Sequence, residues 1–299
     1  MGELTLTYRD IDRAPYLYAL KHMAETYGTV LNLVRADIRG PYPEFLLEGK
    51  TDVLCENYWG LQNFRARGER WVSVATAVTT LNEKLFVHPS ISKVSDLHGK
   101  KFAIRKTGPS QLIPQLWLND NGLSDVETAI YSEDETGRWG TWKKVVDGTC
   151  HGCFITNFYQ DDPRGGGLKE LDIEPYGFIG NVTLTTTEAI IKTHATDVQN
   201  MVDAAFDASD LFRKDPDAVL AIFKTSGEKL RDYEGDAELK TIFTILSNEL
   251  SVYPIPSADG ISNTRRMTLF NSPELKHFNT LPMWDMSFAR AALNRRKIA

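Results

Sequence analysis

The sequence predicts an α/β protein built from two lobes. Two separate stretches of the chain alternate strand-like and helix-like segments in the order β-α-β-α-β, which is typical of a parallel sheet with right-handed crossovers. Extended apolar segments at 83–88 and 181–187 flank the second stretch. A chain of 299 residues is long enough for two lobes that each have a hydrophobic core.

The first lobe opens with a strand at 3–8, followed by apolar side chains at helical spacing over 14–27 and a C-terminal stop at Gly28. Gly49 then separates a short helix from the strand that ends before Asn57. The remaining elements of this lobe are a strand at 30–34, a helix at 42–47, a strand at 52–54 and a strand at 72–77.

The second lobe is organised around residues 96–123. A polar turn ends at Gly99, a short strand covers 102–104, and a Thr-Gly-Pro-Ser turn at 107–110 leads into a helix that stops near Asn121-Gly122. Further elements are a strand at 126–131, a helix at 142–146 and a strand at 153–156. Helical patterns follow at 198–212, 218–225, 237–250 and 283–293. We therefore expect a discontinuous first lobe, 1–83 plus 188–299, and a second lobe, 84–187.

Composition excludes several classes of function. Hydrophobic content of 42% and charged content of 25% are ordinary for a globular protein. A formal net charge of −6 argues against nucleic acid as a partner, although a pocket can be locally positive in an acidic protein. No run approaches the ~20 apolar residues that membrane insertion requires.

Cysteine usage and the N-terminal residues bear on location. Three cysteines, an odd number, favour reduced thiols over a disulfide framework. The opening MGELTLTYRD has neither a basic region nor an apolar region of a signal peptide, so we expect a cytoplasmic chain as it stands. An exported protein whose signal had been removed would have the same sequence and a periplasmic location.

The carboxyl ends of the predicted strands provide the candidate ligand contacts, since ligands of parallel sheets bind beyond these ends. Alternative roles exist for each group: Arg9 can bridge to Asp10 or Asp12, the aromatic pair can belong to the core, and Ser110 can simply cap a helix. The candidates are Arg9, Asp10, Asn57, Tyr58 and Trp59 in the first lobe, and Thr107, Gly108, Ser110 and Gln111 in the second. Arg138 and Trp139 also follow a strand end, where the alternative is a solvent loop.

Catalytic and metal-binding templates are missing from the sequence. Cys150 and Cys153 have C-x-x-C spacing but no second pair, and on a regular strand their sulfurs would face opposite sides, so we expect no metal site. Glu83 and His88 are five positions apart, which places them on opposite faces of a strand. No nucleophile elbow, P-loop or dinucleotide fingerprint occurs, and we expect no cofactor.

The order of these segments resembles the type II periplasmic binding protein fold, in the branch whose transport members bind sulfonates, nitrate or pyrimidine-like solutes. The likeness rests on LLEGKTDVL at 46–54, DLHGKKFAIRKTGPSQ at 96–111 and WKKVVDGTCHGCFITN at 142–157. It implies two lobes hinged at 83–88 and 181–187, which close on a small-molecule ligand between them. It also implies an ABC transporter permease as a partner.

The resemblance leaves two main functions open. The first is a protein that binds a small anionic or aromatic molecule in the cleft between the lobes. The second is a cytoplasmic enzyme, because LTLTYRDIDR at 4–13 resembles the opening of dihydroxyphthalate decarboxylases. A regulatory sensor is a further alternative to both. A decarboxylase needs cations for the carboxylate and an acid for the carbanion-like carbon, and the candidates are Arg9, His88, Arg138 and His151. The thiamine-pyrimidine type is not expected, because 176–187 contain no cysteine.

Overall fold

A computed structural model of the chain divides into two compact units. Unit 1 comprises Met1–Thr80 and Gly177–Ala299, and unit 2 comprises Leu81–Tyr176. The structure describes residues 2–36, 43–56, 58–106, 108–180, 182–230 and 235–297. The sequence places the second boundary at 187/188, whereas the contacts place it at 176/177, because the strand at 183–187 pairs within unit 1.

Strands and helices alternate through most of the chain. The strands are β1 (Gly2–Tyr8), β2 (Thr29–Arg35), β3 (Val53–Glu56), β4 (Trp71–Thr76), β5 (Glu83–Val87), β6 (Lys101–Arg105), β7 (Glu127–Tyr131), β8 (Gly152–Thr156), β9 (Lys169–Leu171) and β10 (Thr183–Thr187). The helices are α1 (Ala14–Thr26), α2 (Glu44–Leu47), α3 (Tyr58–Ala66), α4 (Gly108–Asp120), α5 (Glu133–Thr136), α6 (Lys143–Val146), α7 (Asp161–Gly165), α8 (Glu188–Thr193), α9 (Ala195–Lys214), α10 (Pro216–Thr225), α11 (Asp236–Glu249), α12 (Ala258–Asn271) and α13 (Ser287–Arg295).

The two sheets have the same spatial arrangement of strand directions, although the antiparallel strand comes last along the chain in unit 1 and first in unit 2. Unit 1 has the strand order β2-β1-β3-β10-β4, and unit 2 has the order β7-β6-β8-β5-β9. In each unit three parallel strands are followed by one antiparallel strand, β10 or β5, which the sequence assigns to a hinge. The predicted α/β class with two sheets is confirmed. In each unit the chain passes from the middle parallel strand, β1 or β6, to the neighbour on one side, β2 or β7, and then to the neighbour on the other side, β3 or β8. Since the direction of strand addition reverses there, the topological switch points lie between β1 and β3 and between β6 and β8.

In unit 1, helices α1 and α9 contact each other and pack against the sheet. Tyr16 is fully buried and donates its hydroxyl to the carbonyl of Ala205, 3.1 Å away, which joins the two helices. Arg13 and Glu249 form a buried ion pair with an N···O distance of 2.5 Å, so both charges are compensated inside the unit. Phe64 stacks on Trp71 with ring centroids 4.4 Å apart and secures α3 to β4.

The sheet of unit 2 is covered on both faces, as alternation along its strands requires. Leu85, Phe102 and Phe154 belong to one buried cluster, which also contains Trp117 of α4. Their strand neighbours Phe86, Ala103 and Cys153 belong to a second cluster, with Val145 of α6. The periodicity of two that predicts each strand therefore also divides the core of unit 2 into two layers.

Some local predictions differ from the structure. Tyr58 and Trp59 are the first residues of α3 and not a turn, and β10 begins at Thr183 instead of residue 181. The sequence pattern missed α12 and the three-residue strand β9. Helix α12 carries few buried side chains for its length, so its apolar periodicity is too weak to predict it.

Candidate functional site

At the switch point of unit 1, Arg9 and Asp10 directly follow β1 and are partly buried. The Asp10 carboxylate accepts a hydrogen bond of 3.1 Å from the amide of Asp12 and thereby caps the short 3-10 helix Ile11–Arg13. Tyr58 and Trp59 follow β3 at the same edge, whereas Asn57 lies outside the described residues. The structure thus brings the predicted residues of the first lobe, Asn57 excepted, to one edge of one sheet.

Arg105 ends β6 at the switch point of unit 2 and lies under an aromatic ring. Its guanidinium carbon is 4.3 Å from the centroid of the Trp139 ring, and its side chain is 15% exposed. The guanidinium also pairs with the carboxylate of Glu133, which is half exposed. The buried Nε of Arg105 has no hydrogen-bond partner among the described residues. A planar cation with an unused donor is thus held at the strand edge where ligands bind.

Trp139 reaches this position through an unusual backbone. Its φ of 59° and ψ of 17° lie in the left-handed region, which disfavours residues with a Cβ atom. The neighbouring Arg138 is exposed. The hydrogen bond and the charge of Arg105 lower the pKa of Glu133, and the charge of Arg138 adds a smaller effect in the same direction. Of the predicted Arg138-Trp139 pair, Trp139 therefore contacts the strand edge, while Arg138 contributes charge from the surface.

The N-terminus of α4 lies next in the chain after β6. The helix begins at Gly108, so Gly108 and Ser110, which were predicted to lie in a turn before it, occupy its first turn together with Gln111. Thr107 lies outside the described residues. Gly108 has a φ of 38°, which a residue with a side chain rarely adopts. Free amide groups and the helix dipole make such a terminus favourable for an anion, and here it adjoins the cation Arg105.

Glu83 is a buried carboxyl group at the same edge. It begins β5 opposite Thr156 of β8, and its Oε1 accepts a hydrogen bond of 3.0 Å from the Ser110 hydroxyl. Burial raises the pKa of Glu83 to about 7, although the Ser110 hydroxyl and the charge of Arg105 both act in the opposite direction. The group therefore exchanges its proton near neutral pH, as acid–base groups in functional sites do.

The histidines proposed for an enzyme lie elsewhere in unit 2. His88 follows the end of β5 and His151 precedes β8, so both are at the edge opposite to Glu83. Their rings are 6.2 Å apart, and burial together with the charges of Lys100 and His88 lowers the pKa of His151. The structure therefore does not bring either histidine together with Arg138.

Cys55, Cys150 and Cys153 are buried, and none of them forms a disulfide bond. The prediction that Cys150 and Cys153 face opposite sides is wrong, because β8 begins only at Gly152 and both residues lie in the same buried cluster. Burial raises the pKa of both thiols, which keeps them protonated. The described residues contain no group of three or more metal-ligating side chains.

A surface groove of unit 1 has cations but offers less to a ligand. Its volume is about 420 Å³, and Phe206, Tyr253 and Arg296 are among its lining residues. The charges are already matched: Arg296 pairs with Asp207 at 2.5 Å, and Asp210 pairs with Arg213 and Lys214. The edge of unit 2 at Glu83, Arg105, Ser110 and Trp139, here named the β6 edge, is therefore the stronger candidate site.

Sequence reasoning missed Arg105 and set Glu83 aside. A signal for Arg105 was present, because it is the last residue of a strand whose carboxyl end was expected to face ligand. No local signal indicates the pairing of Glu83 with Ser110, which are 27 positions apart.

Two five-stranded sheets of this strand order place the chain in the periplasmic binding protein class of α/β fold. Residues 28–219 match the model of the family described as NMT1/THI5 like, and the chain belongs to this family. A search of curated protein sequences found no match. Among the described residues, no helix is long and apolar enough to cross a membrane.

Solved structures share this fold over nearly the whole chain. The periplasmic sulfonate-binding protein SsuA of Methylobacillus flagellatus is 16% identical, with a TM-score of 0.70 over 100% of this chain and 96% of that one. The alkanesulfonate-binding protein SsuA of Xanthomonas axonopodis pv. citri, bound to MOPS, is 16% identical, with a TM-score of 0.59 over 96% and 99%. The desulfurization enzyme DszB, in complex with biphenyl-2-sulfinic acid, is 15% identical, with a TM-score of 0.62 over 99% and 100%.

Proposed function

We propose that this protein binds a small anionic molecule with an aromatic or other apolar part, in the manner of a solute-binding protein. The observation that carries the proposal is the Arg105 guanidinium, which lies under the Trp139 ring and has a buried Nε without a partner among the described residues. The guanidinium suits a sulfonate or carboxylate, and the indole suits the apolar part of the ligand.

The surroundings of Arg105 support an anion over a neutral ligand. The N-terminus of α4 follows β6 after two residues, and its dipole favours negative charge. Glu133 already pairs with Arg105, but it is half exposed and an anion from solution can replace it at small cost.

Relatives give the proposal a transport context. Proteins of this fold include binders named for sulfonates, so aromatic sulfonates are the first compounds to test. The proposal includes an ABC transporter permease as partner and a periplasmic location, which follow from this role and need their own tests.

Titration calorimetry can test the proposal with benzenesulfonate, benzoate and the uncharged benzamide. We expect the two anions to bind and benzamide not to bind. Arg105→Met should weaken anion binding by roughly tenfold or more, since a hydrogen bond to a charged group contributes about 1.5–3 kcal/mol. Arg138→Ala, which removes the adjacent exposed cation, serves as the matched control and should change affinity little. Equal affinity of the Arg105→Met variant and the unaltered protein would refute the site.

The second candidate function is decarboxylation of an aromatic carboxylic acid. Glu83 favours it, because a carboxyl group with a pKa of about 7 can donate a proton at neutral pH. In that reaction the bond between ring and carboxylate breaks, carbon dioxide leaves, and the electron pair on the ring carbon takes the proton of Glu83. Arg105 would hold the carboxylate, while His88 and His151 lie at the opposite edge of the sheet.

The same samples distinguish the two functions. Proton NMR of the protein with 2-hydroxybenzoate over several hours shows whether the compound stays intact. Binding without conversion supports the solute-binding function, whereas conversion that is lost in Glu83→Gln supports the enzyme.

A further inference from the structure

At the β6 edge, a hydrogen bond joins Glu83, which can bind a proton, to Ser110, which lies where the proposed ligand would bind. Glu83 is 8% exposed, and its Oε1 lies 3.0 Å from the hydroxyl oxygen of Ser110. Ser110 is partly exposed in the first turn of α4, so it touches the buried acid on one side and can meet a ligand on the other.

The direction of this hydrogen bond depends on the proton of Glu83. An ionised carboxylate can only accept, so the Ser110 O–H must donate to it and the serine has only lone pairs left for a ligand. A protonated carboxyl group can donate its O–H to the Ser110 oxygen instead. The Ser110 O–H is then free to donate to an anion, and the anion no longer faces a nearby negative charge.

We propose that Glu83 and Ser110 form a proton relay, through which the β6 edge takes up its anionic ligand together with one proton. The inference rests on the proposed function, and it specifies the kind of uptake: the anion binds tightly in acid and is released as the solution becomes more alkaline. Where Glu83 is ionised before binding, one proton is bound with each anion, so the net charge of the site does not change on binding.

The groups around Glu83 allow this exchange near neutral pH. From β6, the charge of Arg105 favours the ionised form; from α4, Ser110 supplies the hydrogen bond. From β8, Thr156 is the register partner and the thiol of Cys153 lies close enough to interact, but burial keeps that thiol protonated. On β5 itself, Lys84 pairs with Glu170 at 3.4 Å. Burial outweighs the favourable charge of Arg105 and raises the pKa of Glu83 to about 7.

The test measures the affinity of the full chain for benzenesulfonate by calorimetry from about pH 5.5 to about pH 8.5, a range over which this strong acid keeps its charge. For the unaltered protein, we expect the affinity to fall by up to about tenfold per pH unit above the pKa of Glu83. Glu83→Gln, whose amide always has a donor for Ser110, should bind with an affinity that does not follow pH. Ser110→Ala should bind weakly and with a smaller pH dependence, because only the charge of Glu83 then acts on the anion.

Each other outcome overturns the relay. If Ser110→Ala keeps the full pH dependence, the charge of Glu83 acts without the serine. If the unaltered protein binds equally at all pH values, the relay is refuted while the proposed function stands. If neither benzenesulfonate nor benzoate binds at any pH, the proposed function fails and the relay fails with it.

A second measurement needs no ligand. Carbon-13 NMR of glutamate carboxyl groups, with Glu83→Gln to assign the signal, gives the titration of Glu83 in the free protein. A titration near pH 7 supports the relay. A titration below about pH 5, as for a solvated glutamate, overturns it whatever the binding data show.

Discussion

Glu83 lowers the stability of the fold whenever it is ionised, because a buried carboxylate has lost most of its hydration. Among the described residues, the Ser110 hydroxyl and the charge of Arg105 favour its ionised form, and burial outweighs both. Such a group persists in the core of unit 2 only where something else requires it. At the scale of single residues, the stability that the fold loses when Glu83 is ionised is therefore an argument for a function at the β6 edge.

The loss of stability on ionisation predicts how the free energy of unfolding depends on pH. The pKa of Glu83 is raised from 4.5 to about 7 in the folded chain, so its contribution to stability is fully present below about pH 4.5 and is lost as pH rises through about 7. We expect Glu83→Gln to be more stable than the unaltered protein at about pH 8, by about 3 kcal/mol. Near pH 5 the two proteins should differ little.

Urea unfolding at both pH values measures this difference. All other titratable groups are common to both proteins, so their contributions cancel in the comparison. Glu174→Gln, which alters an exposed glutamate of unit 2, is the control and should show no such dependence. A stabilisation equal at both pH values would show that Glu83 does not titrate as proposed.

At the scale of elements, the Gly-Arg-Trp-Gly turn at 137–140 holds the aromatic wall of the site. Trp139 has a left-handed backbone, with a φ of 59°, and the short 3-10 helix Gly140–Trp142 follows at once. The turn therefore accepts local strain while it presents the indole ring to Arg105.

Paired substitutions can separate the strain from the stacking. Both Trp139→Ala and Trp139→Gly remove the ring, but only glycine relieves the left-handed backbone. We expect Trp139→Gly to be more stable than Trp139→Ala by about 1 kcal/mol in thermal or urea unfolding. At Arg138, whose φ is not positive, the order should reverse, with the alanine variant more stable. The same order at both positions would contradict the strain at Trp139.

At the scale of the whole molecule, the two units differ in how the chain builds them. Unit 2 is one continuous segment with a five-stranded sheet and core layers on both faces. Unit 1 needs two distant segments, because β10 lies between β3 and β4 and pairs with both. Without β10, the edges of β3 and β4 would lose their hydrogen-bond partners.

This difference predicts the behaviour of fragments. We expect a fragment of residues 81–176 to fold by itself, with dispersed amide resonances and a cooperative unfolding transition. The matched fragment of residues 1–80 should remain unfolded, since its sheet lacks β10. The absence of a cooperative transition in 81–176 would show that unit 2 depends on the rest of the chain.

Most of the fold could be predicted from local patterns. Apolar residues at spacings of two and of three to four mark β1, α1, β6 and α4, and Gly28 and Gly122 mark helix ends with positive φ. The candidate site was only partly predictable. Gly108 and Ser110 follow a strand and begin a helix, so a local rule finds them.

The sequence by itself determined the α/β class, the two β-α-β-α-β stretches and the strand ends near which ligand groups lie, because these depend on residues close together in the chain. The tertiary structure alone decided that Glu83 meets Ser110, that Trp139 covers Arg105, and that His88 and His151 lie at the far edge of the sheet. Those contacts depend on strand order. Strand β5 is placed beside β8 by pairing across the sheet, and no periodicity within β5 or β8 specifies that neighbour.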